Sequence, residues 1–250
     1  VPEEITLSVF RGDRSGGREE SYPVPLTPGM VVLDAVHYVQ ANLAPDLAVR
    51  WNCKAAHCGS CSAEINGRPR LMCKARLDEY EGVVHVRPMH TFPLIKDLVT
   101  DVSWNYEVQK KIAPLQPAAP APFHMYQPDV DRLQEFRKCI ECFMCQNICH
   151  VLRDHEGQDR YYGPRNMIRI AELAMHPMDT ADRVPLAHGD AGLGLCNITK
   201  CCSEVCPENI HITDDGIIPL KERVADRYYD PLRRVWSLFG GGKHESAGDR

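Results

Sequence analysis

The chain has 250 residues, 44% hydrophobic and 25% charged, which is enough for one or two domains with real cores. With 29 Lys and Arg against 34 Asp and Glu, the net charge of −5 gives no broad electrostatic ground for binding nucleic acid or an anionic bilayer. No stretch reaches the roughly 18 uninterrupted apolar residues of a membrane-spanning helix, and Val1-Pro2-Glu3-Glu4 lacks the basic flank and apolar core of a secretory signal, so the expected setting is a reducing compartment.

In chain order, Ile5, Leu7 and Val9 alternate with polar residues, Gly12-Asp13 and Gly16-Gly17 supply a turn, and Tyr22, Val24 and Leu26 alternate again, which predicts a β-hairpin. Val32, Val36, Val39 and Leu43 return at helical spacing after Pro28-Gly29. Leu47, Val49 and Trp51 read as a further strand, Ala63 and Ile65 as another, Asn66-Gly67 as a two-residue hairpin turn, and Val84 and Val86 as the strand that closes the sheet. The first ~90 residues thus read ββαβββ, a small mixed sheet with a helix packed across it. Ile95, Leu98, Val99, Val102 and Tyr106 predict a helix.

Pro114, Pro117, Pro120, Pro122 and Pro128 then crowd a stretch that holds neither helix nor ladder. Beyond it, Leu133, Phe136 and Ile140 share a helical face, and Pro164 opens a helix over 165–176 that Pro177 stops. A last helical pattern, Leu232, Val235, Trp236 and Phe239, precedes Gly240-Gly241-Gly242 and a polar tail expected to be disordered. The organisation expected is a domain over 1–105, a Pro-rich crossing over 106–128, a helical domain over 129–239 and a tail over 240–250.

Twelve cysteines are the outlier, and in a reducing setting they bind metal more readily than they pair. Cys53-x4-Cys58-x2-Cys61-x11-Cys73 has the plant-type spacing of a [2Fe-2S] cluster. Gly59 within it lets backbone N–H groups approach the bridging sulfides. Cys139-x2-Cys142-x2-Cys145-x3-Cys149 is the bacterial ferredoxin run, with His150 where that run has proline. Stepping from Cys196 by the same intervals meets Thr199, Cys202 and Cys206-Pro207, a second run with threonine for its second cysteine. In two-cluster ferredoxins the last cysteine of each run serves the other cluster. Cys139, Cys142, Cys145 and Cys206 then hold a [4Fe-4S], while Cys149, Cys196 and Cys202 hold a cluster one ligand short, which argues for [3Fe-4S]. Cys201 is expected to be an unligated buried thiol, Met167 and Met175 core residues, and His57, His85 and His90 non-ligands. The bland alternative, three structural zinc sites, is disfavoured by the x4 gap and by Thr199.

Three clusters in one chain form a wire for single electrons. With no G-x-G-x-x-G fingerprint and no acid, base or nucleophile constellation, the two-electron chemistry falls to a partner.

Cys58-Gly59-Ser60-Cys61, Asn66-Gly67-Arg68-Pro69-Arg70-Leu71, Ile95-Lys96-Asp97-Leu98-Val99, the run at 139–149 and Cys202-Ser203-Glu204-Val205-Cys206-Pro207 resemble the iron-sulfur subunit of succinate dehydrogenase and fumarate reductase, over roughly residues 4 to 225. The resemblance implies an α+β fold: a plant-type [2Fe-2S] ferredoxin domain, β-grasp-like, followed by a helical two-cluster domain of bacterial ferredoxin type. It also implies a flavoprotein partner with FAD, electrons passing through [2Fe-2S], [4Fe-4S] and [3Fe-4S] to a quinone, and an integral, cytochrome b-type membrane anchor that carries haem b in some complexes. The chain itself would sit peripherally on the cytoplasmic face of a bacterial membrane and bind no nucleic acid.

Two departures bear on the quinone. Ubiquinone-reducing members of the family carry a tryptophan a few residues after the ligand matching Cys149, where this chain has Arg153 and Asp154. They also carry a histidine after the ligand matching Cys196, where this chain has Asn197. Both point toward menaquinone. His150, Asn197, Lys200 and Lys221 are the candidates to line or approach it, against the reading that each is a solvated or partner-facing polar residue. Trp236 with Arg233 and Arg234 suits either an anchor contact or plain helix packing. The runner-up function is electron transfer for a different flavoprotein, one acting on another acid or on a thiol.

Overall fold

A computed structural model describes residues 4–118 and 124–230. Strands β1 (Glu4–Asp13) and β2 (Gly16–Pro25) form the expected antiparallel hairpin, which buries Ile5, Leu7, Val9 and Val24. Helix α1 (Val32–Asn42) lays Val32, Leu33, Ala35, Val36 and Val39 against the sheet. Each such side chain contributes roughly 1.5–3 kcal/mol on burial. β3 (Ser62–Ile65) and β4 (Arg68–Leu71) are joined by Asn66-Gly67, both with positive φ, the turn whose twist matches its strands.

β5 (Val83–Arg87) lies inside the sheet, parallel to β1 and antiparallel to β3. With β6 (Leu94–Lys96) and β7 (Val99–Thr100) the strand order is β4-β3-β5-β1-β6-β7, and β2 pairs with β1. Two expectations are corrected here. Leu47 to Trp51 form no strand; Leu47 enters the core while Trp51 is exposed, and the backbone there is held by Asp97 and Gln40 instead of a ladder. The helix read from Ile95 onward begins only at α2 (Ser103–Lys110), because Ile95 to Val99 turn as a hairpin around Asp97. The Asp97 carboxylate is buried and accepts the N–H groups of Gly12 at 2.9 Å and Ala48 at 2.8 Å, and Arg11 Nε at 3.2 Å. α2 also runs five residues into the segment read as the crossing.

The second half is helical. α3 (Gln127–Arg137) buries Leu133 and Phe136 but stops before Ile140, which packs on the core of the first domain. Short helices α4 (Met144–Ile148) and α5 (His150–Arg153) follow. The long α6 (Gly163–Met175) starts with Pro164 and buries Met167, Ile168, Ile170, Leu173 and Met175. α7 (Val184–His188), α8 (Cys201–Glu204), a π-helical turn (Ile212–Ile217) and α9 (Ile218–Tyr228) complete the core beside it. The patterns at Leu232, Val235, Trp236 and Phe239, and the tail, lie outside the described residues. Among those described, no helix is long and apolar enough to cross a membrane.

The halves meet through buried polar groups. Glu64 of β3, 5% exposed, accepts Arg153 at 2.6 Å and Asn147 Nδ2 at 2.8 Å. Thr91 donates two further hydrogen bonds to Asn147, from its N–H to Oδ1 at 3.0 Å and from its hydroxyl to the backbone carbonyl at 3.1 Å. Arg153 is thus directed to the first domain.

Candidate iron-sulfur centres

The loop from Cys53 to Cys61 is wound by left-handed residues, Lys54, Ala56 and Gly59, with φ of 55°, 60° and 66°. Such turns aim successive N–H groups inward. Ala55 and His57 donate to Cys53 Sγ at 3.3 and 3.4 Å, and the Cys53 N–H reaches Cys58 Sγ at 3.5 Å. Burial pushes the Cys58 thiol up, but hydrogen bonds from Ser60 and Cys53 outweigh it and bring the thiol down to about 6. Cys61, deeper and beside Cys73 and Cys58, is pushed up to about 12, chiefly by burial. Cys73 follows β4, so the distant fourth thiol arrives by the Asn66-Gly67 hairpin.

The same backbone device recurs in the other two groups. Glu141 and Phe143 have positive φ inside the second run, Ile198 and Lys200 inside the third. Among the described residues six of the ten non-glycine residues with positive φ lie in the cysteine loops 53–61, 139–145 and 196–202, so the loops hold a costly backbone where a cluster would sit. For the β-branched Ile198 the cost is greatest.

The second and third groups lie close enough for their charges to act on one another. Burial first, then the charges of Cys139 and Cys206, raise Cys142 to about 12; Cys145 lies well above its usual value through burial and through Cys142, Cys139, Cys202 and Cys206. The Cys206 charge of the third group thus acts on Cys142 and Cys145 of the second, and the Cys202 charge acts on Cys145 as well. Burial raises Cys149 to about 12, with Cys201 and Cys202 adding to it, and Cys202 to about 11, with Cys201 and Cys196 adding and the Thr213 hydroxyl, 3.3 Å away, opposing. Cys149, Cys196 and Cys202 line one cavity together with His150, Tyr161, Asn197, Thr199, Lys200 and Cys201. Lys221, on α9, does not line it. Lys200 Nζ pairs with Asp214 at 2.7 Å. Cys201, expected to be buried, is half-buried; its Sγ lies 3.3 Å from Thr199 Oγ1 and 3.7 Å from the Ile148 carbonyl.

These donors fit iron-sulfur clusters. Buried thiols with raised pKa values ionise once a metal supplies positive charge. Among the described residues four buried side-chain polar atoms have no hydrogen-bond partner: His37 Nε2, His150 Nε2, Tyr161 Oη and Arg165 Nε. Two of them line the third cavity. Arg165 stands by Cys139 and Cys145, its charge acting on their environment while its Nη2 pairs with Glu141 at 2.5 Å. Sequence reading missed Tyr161 and Arg165, since no spacing ties them to the cysteines; the segment leading into α6 carries Tyr161 there and the first turn of α6 carries Arg165. His57 contributes only its N–H to the first loop, and Met167 and Met175 are core residues.

Comparison with known proteins agrees with this division. Residues 6–107 match the family described as "2Fe-2S iron-sulfur cluster binding domain", and 135–210 the "4Fe-4S dicluster domain". A chain of the Mycobacterium smegmatis Sdh1 complex in the apo form superposes with a TM-score of 0.91 at 57% identity, covering 93% of this chain and 100% of that one. A fumarate reductase iron-sulfur subunit of Mycobacterium tuberculosis is 30% identical over 89% of this chain and 91% of its own length. A fumarate reductase (CoM/CoB) subunit of Methanothermobacter marburgensis is 33% identical over 85% of this chain, which spans 42% of that longer relative. A sheet domain with a plant-type cysteine loop, a helical dicluster domain and these relatives together make the chain a member of the family of iron-sulfur electron-transfer subunits of succinate dehydrogenase and fumarate reductase.

Proposed function

We propose that the chain conducts single electrons between the FAD of a flavoprotein subunit and a quinone at a membrane-anchor subunit, in a succinate:quinone oxidoreductase working in either direction. Cys53, Cys58, Cys61 and Cys73 hold a [2Fe-2S]; Cys139, Cys142, Cys145 and Cys206 a [4Fe-4S]; Cys149, Cys196 and Cys202 a [3Fe-4S]. When bound, the clusters exchange one electron at a time without rearrangement, which converts the two-electron chemistry of the partner into single steps.

The observation that supports this reading best is that Cys149 shares a cavity with Cys196 and Cys202, while the Cys206 charge acts on Cys142 and Cys145. The chain's own residues do the rest. N–H groups of the first loop stabilise thiolate charge at Cys53 and Cys58. Cys53 is exposed, as is Trp51, so this end faces the flavoprotein. At the other end Leu195 and Ile198 are exposed apolar residues flanking Cys196 and Asn197, a surface suited to the apolar anchor subunit, which holds the complex on the cytoplasmic face of a bacterial membrane and carries haem b if the complex has it. His150, Asn197 and Lys200 are the quinone-side residues, and menaquinone is the quinone favoured. Lys221 has no support from the cavity.

The test is low-temperature electron paramagnetic resonance of the anaerobically purified complex, before and after dithionite, with iron and sulfide counts. The expected result is an oxidised [3Fe-4S] signal that vanishes as [2Fe-2S] and [4Fe-4S] signals appear, and about nine irons per chain. Two [4Fe-4S] centres, or bound zinc, would overturn the assignment. A second reading, electron transfer for a thiol-linked flavoprotein, draws on the relative whose name carries CoM/CoB; failure of the complex to reduce any quinone with succinate would favour it.

A further inference from the structure

Tyr161 is 1% exposed and lies in the turn that leads into α6. Its position is fixed on both sides: its own N–H donates to the Gly157 carbonyl at 2.9 Å, and the next N–H, of Tyr162, donates to the Ala191 carbonyl at 3.1 Å. Tyr161 lines the cavity shared by Cys149, Cys196 and Cys202; its hydroxyl is buried, finds no oxygen or nitrogen partner, and has the Cys196 thiol as the polar side chain set against it. A buried hydroxyl without a partner is unfavourable, and native proteins rarely tolerate one unless a bound group supplies the missing acceptor. Cys149, Cys196, Cys201 and Cys202 line the same cavity and Cys196 acts directly on this hydroxyl, so the acceptor that belongs there is sulfur.

We propose that Tyr161 donates its hydroxyl hydrogen to a sulfur of the third cluster, either a sulfide or the Cys196 thiolate, and thereby raises the reduction potential of that cluster. The proposal rests on the reading that Cys149, Cys196 and Cys202 hold an iron-sulfur cluster. The sign follows from charge. Reduction adds an electron to an already anionic assembly, a hydrogen-bond donor stabilises the more negative state, and the potential rises. A further donor at the third site favours the last station of the wire as a resting place for an electron bound for an acceptor. Tyr161 acts on the cluster by its field and moves no proton.

The experiment is a redox titration monitored by electron paramagnetic resonance on the purified complex, wild type against Tyr161→Phe. Phenylalanine keeps the ring and removes only the hydroxyl. The expected result is a midpoint of the third centre shifted to lower potential, with the [2Fe-2S] and [4Fe-4S] midpoints unmoved. An unshifted third midpoint would remove Tyr161 from the role while leaving the ligand assignment intact. A wild-type complex with no third centre would instead overturn the reading beneath it. Should Tyr161→Phe lose the cluster altogether, the complex can be grown with 3-fluorotyrosine, whose more acidic hydroxyl is a stronger donor. The third midpoint then rises if the proposal holds and stays in place if it does not.

Discussion

A Cβ atom built at Gly59 would fall 2.7 Å from Cα of Cys142, and Gly59 has φ of +66°. The glycine therefore does more than open the first loop to sulfides. It lets that loop touch the backbone of the second cysteine run, so that two candidate cluster sites stand wall to wall. Gly59→Ala is expected to cost roughly 1–2 kcal/mol for the left-handed backbone, with the collision against Cys142 added to it. Thermal unfolding of the complex measures that loss, and the [4Fe-4S] signal should broaden or weaken with it. An unchanged midpoint temperature and spectrum would show that the loops do not need the contact.

The cysteine partition gives the second prediction. Cys206→Ser should damage the [4Fe-4S] although Cys206 lies in the third sequence group, and Cys149→Ser should damage the [3Fe-4S] although Cys149 lies in the second. Electron paramagnetic resonance of the two variant complexes separates the cases. A lesion that follows sequence grouping would end the exchange argument.

Much of this site was legible because ligand spacing is local and its chemistry is stringent. The plant-type interval, the grouping of Cys149 with Cys196 and Cys202 around one cavity and the turn at Asn66-Gly67 could all be read from residue order. What was not legible depends on distant residues. Ile95 to Val99 read as helix, yet buried Asp97 collects N–H groups from Gly12 and Ala48 and folds them as a hairpin. Ile140 continued a helical face by period, yet packs on the other domain. Arg153 stood out only as a departure from a pattern; its partner Glu64 is 89 residues away. Tyr161 and Arg165 have no signature at all, since only tertiary packing brings their donors to the thiols.

Thr199 sits where a cysteine would complete the third run, and it lines the cavity with Cys149, Cys196 and Cys202. Thr199→Cys should supply the fourth thiolate and convert the centre to [4Fe-4S]. The oxidised [3Fe-4S] signal would disappear and iron would rise from about nine to about ten per chain. Persistence of the oxidised signal, with iron unchanged, would mean that position 199 does not reach the fourth corner.

The last prediction concerns acid stability. Asp179 and Arg183 form an ion pair at 2.7 Å with side chains 1% and 4% exposed, and Arg183 also donates to the carbonyls of Ala113 and Pro114 at 2.7 and 2.8 Å. The pair thus ties the chain entering the crossing to the segment after α6. Burial alone would raise the Asp179 carboxyl, but hydrogen bonds from Arg183 and from the N–H groups of Gln116 and Ala181 outweigh it, and its pKa is lowered. A carboxyl lowered in the folded state stabilises the fold fully above its unfolded value of about 3.9 and loses that contribution as pH falls toward the folded one. Asp179→Asn leaves the Arg183 guanidinium buried without its counter-charge, a loss of about 3–5 kcal/mol at neutral pH. Unfolding followed against pH should show the gap between wild type and Asp179→Asn narrowing as pH falls below about 4. A gap that is constant with pH would assign the loss to packing instead of charge.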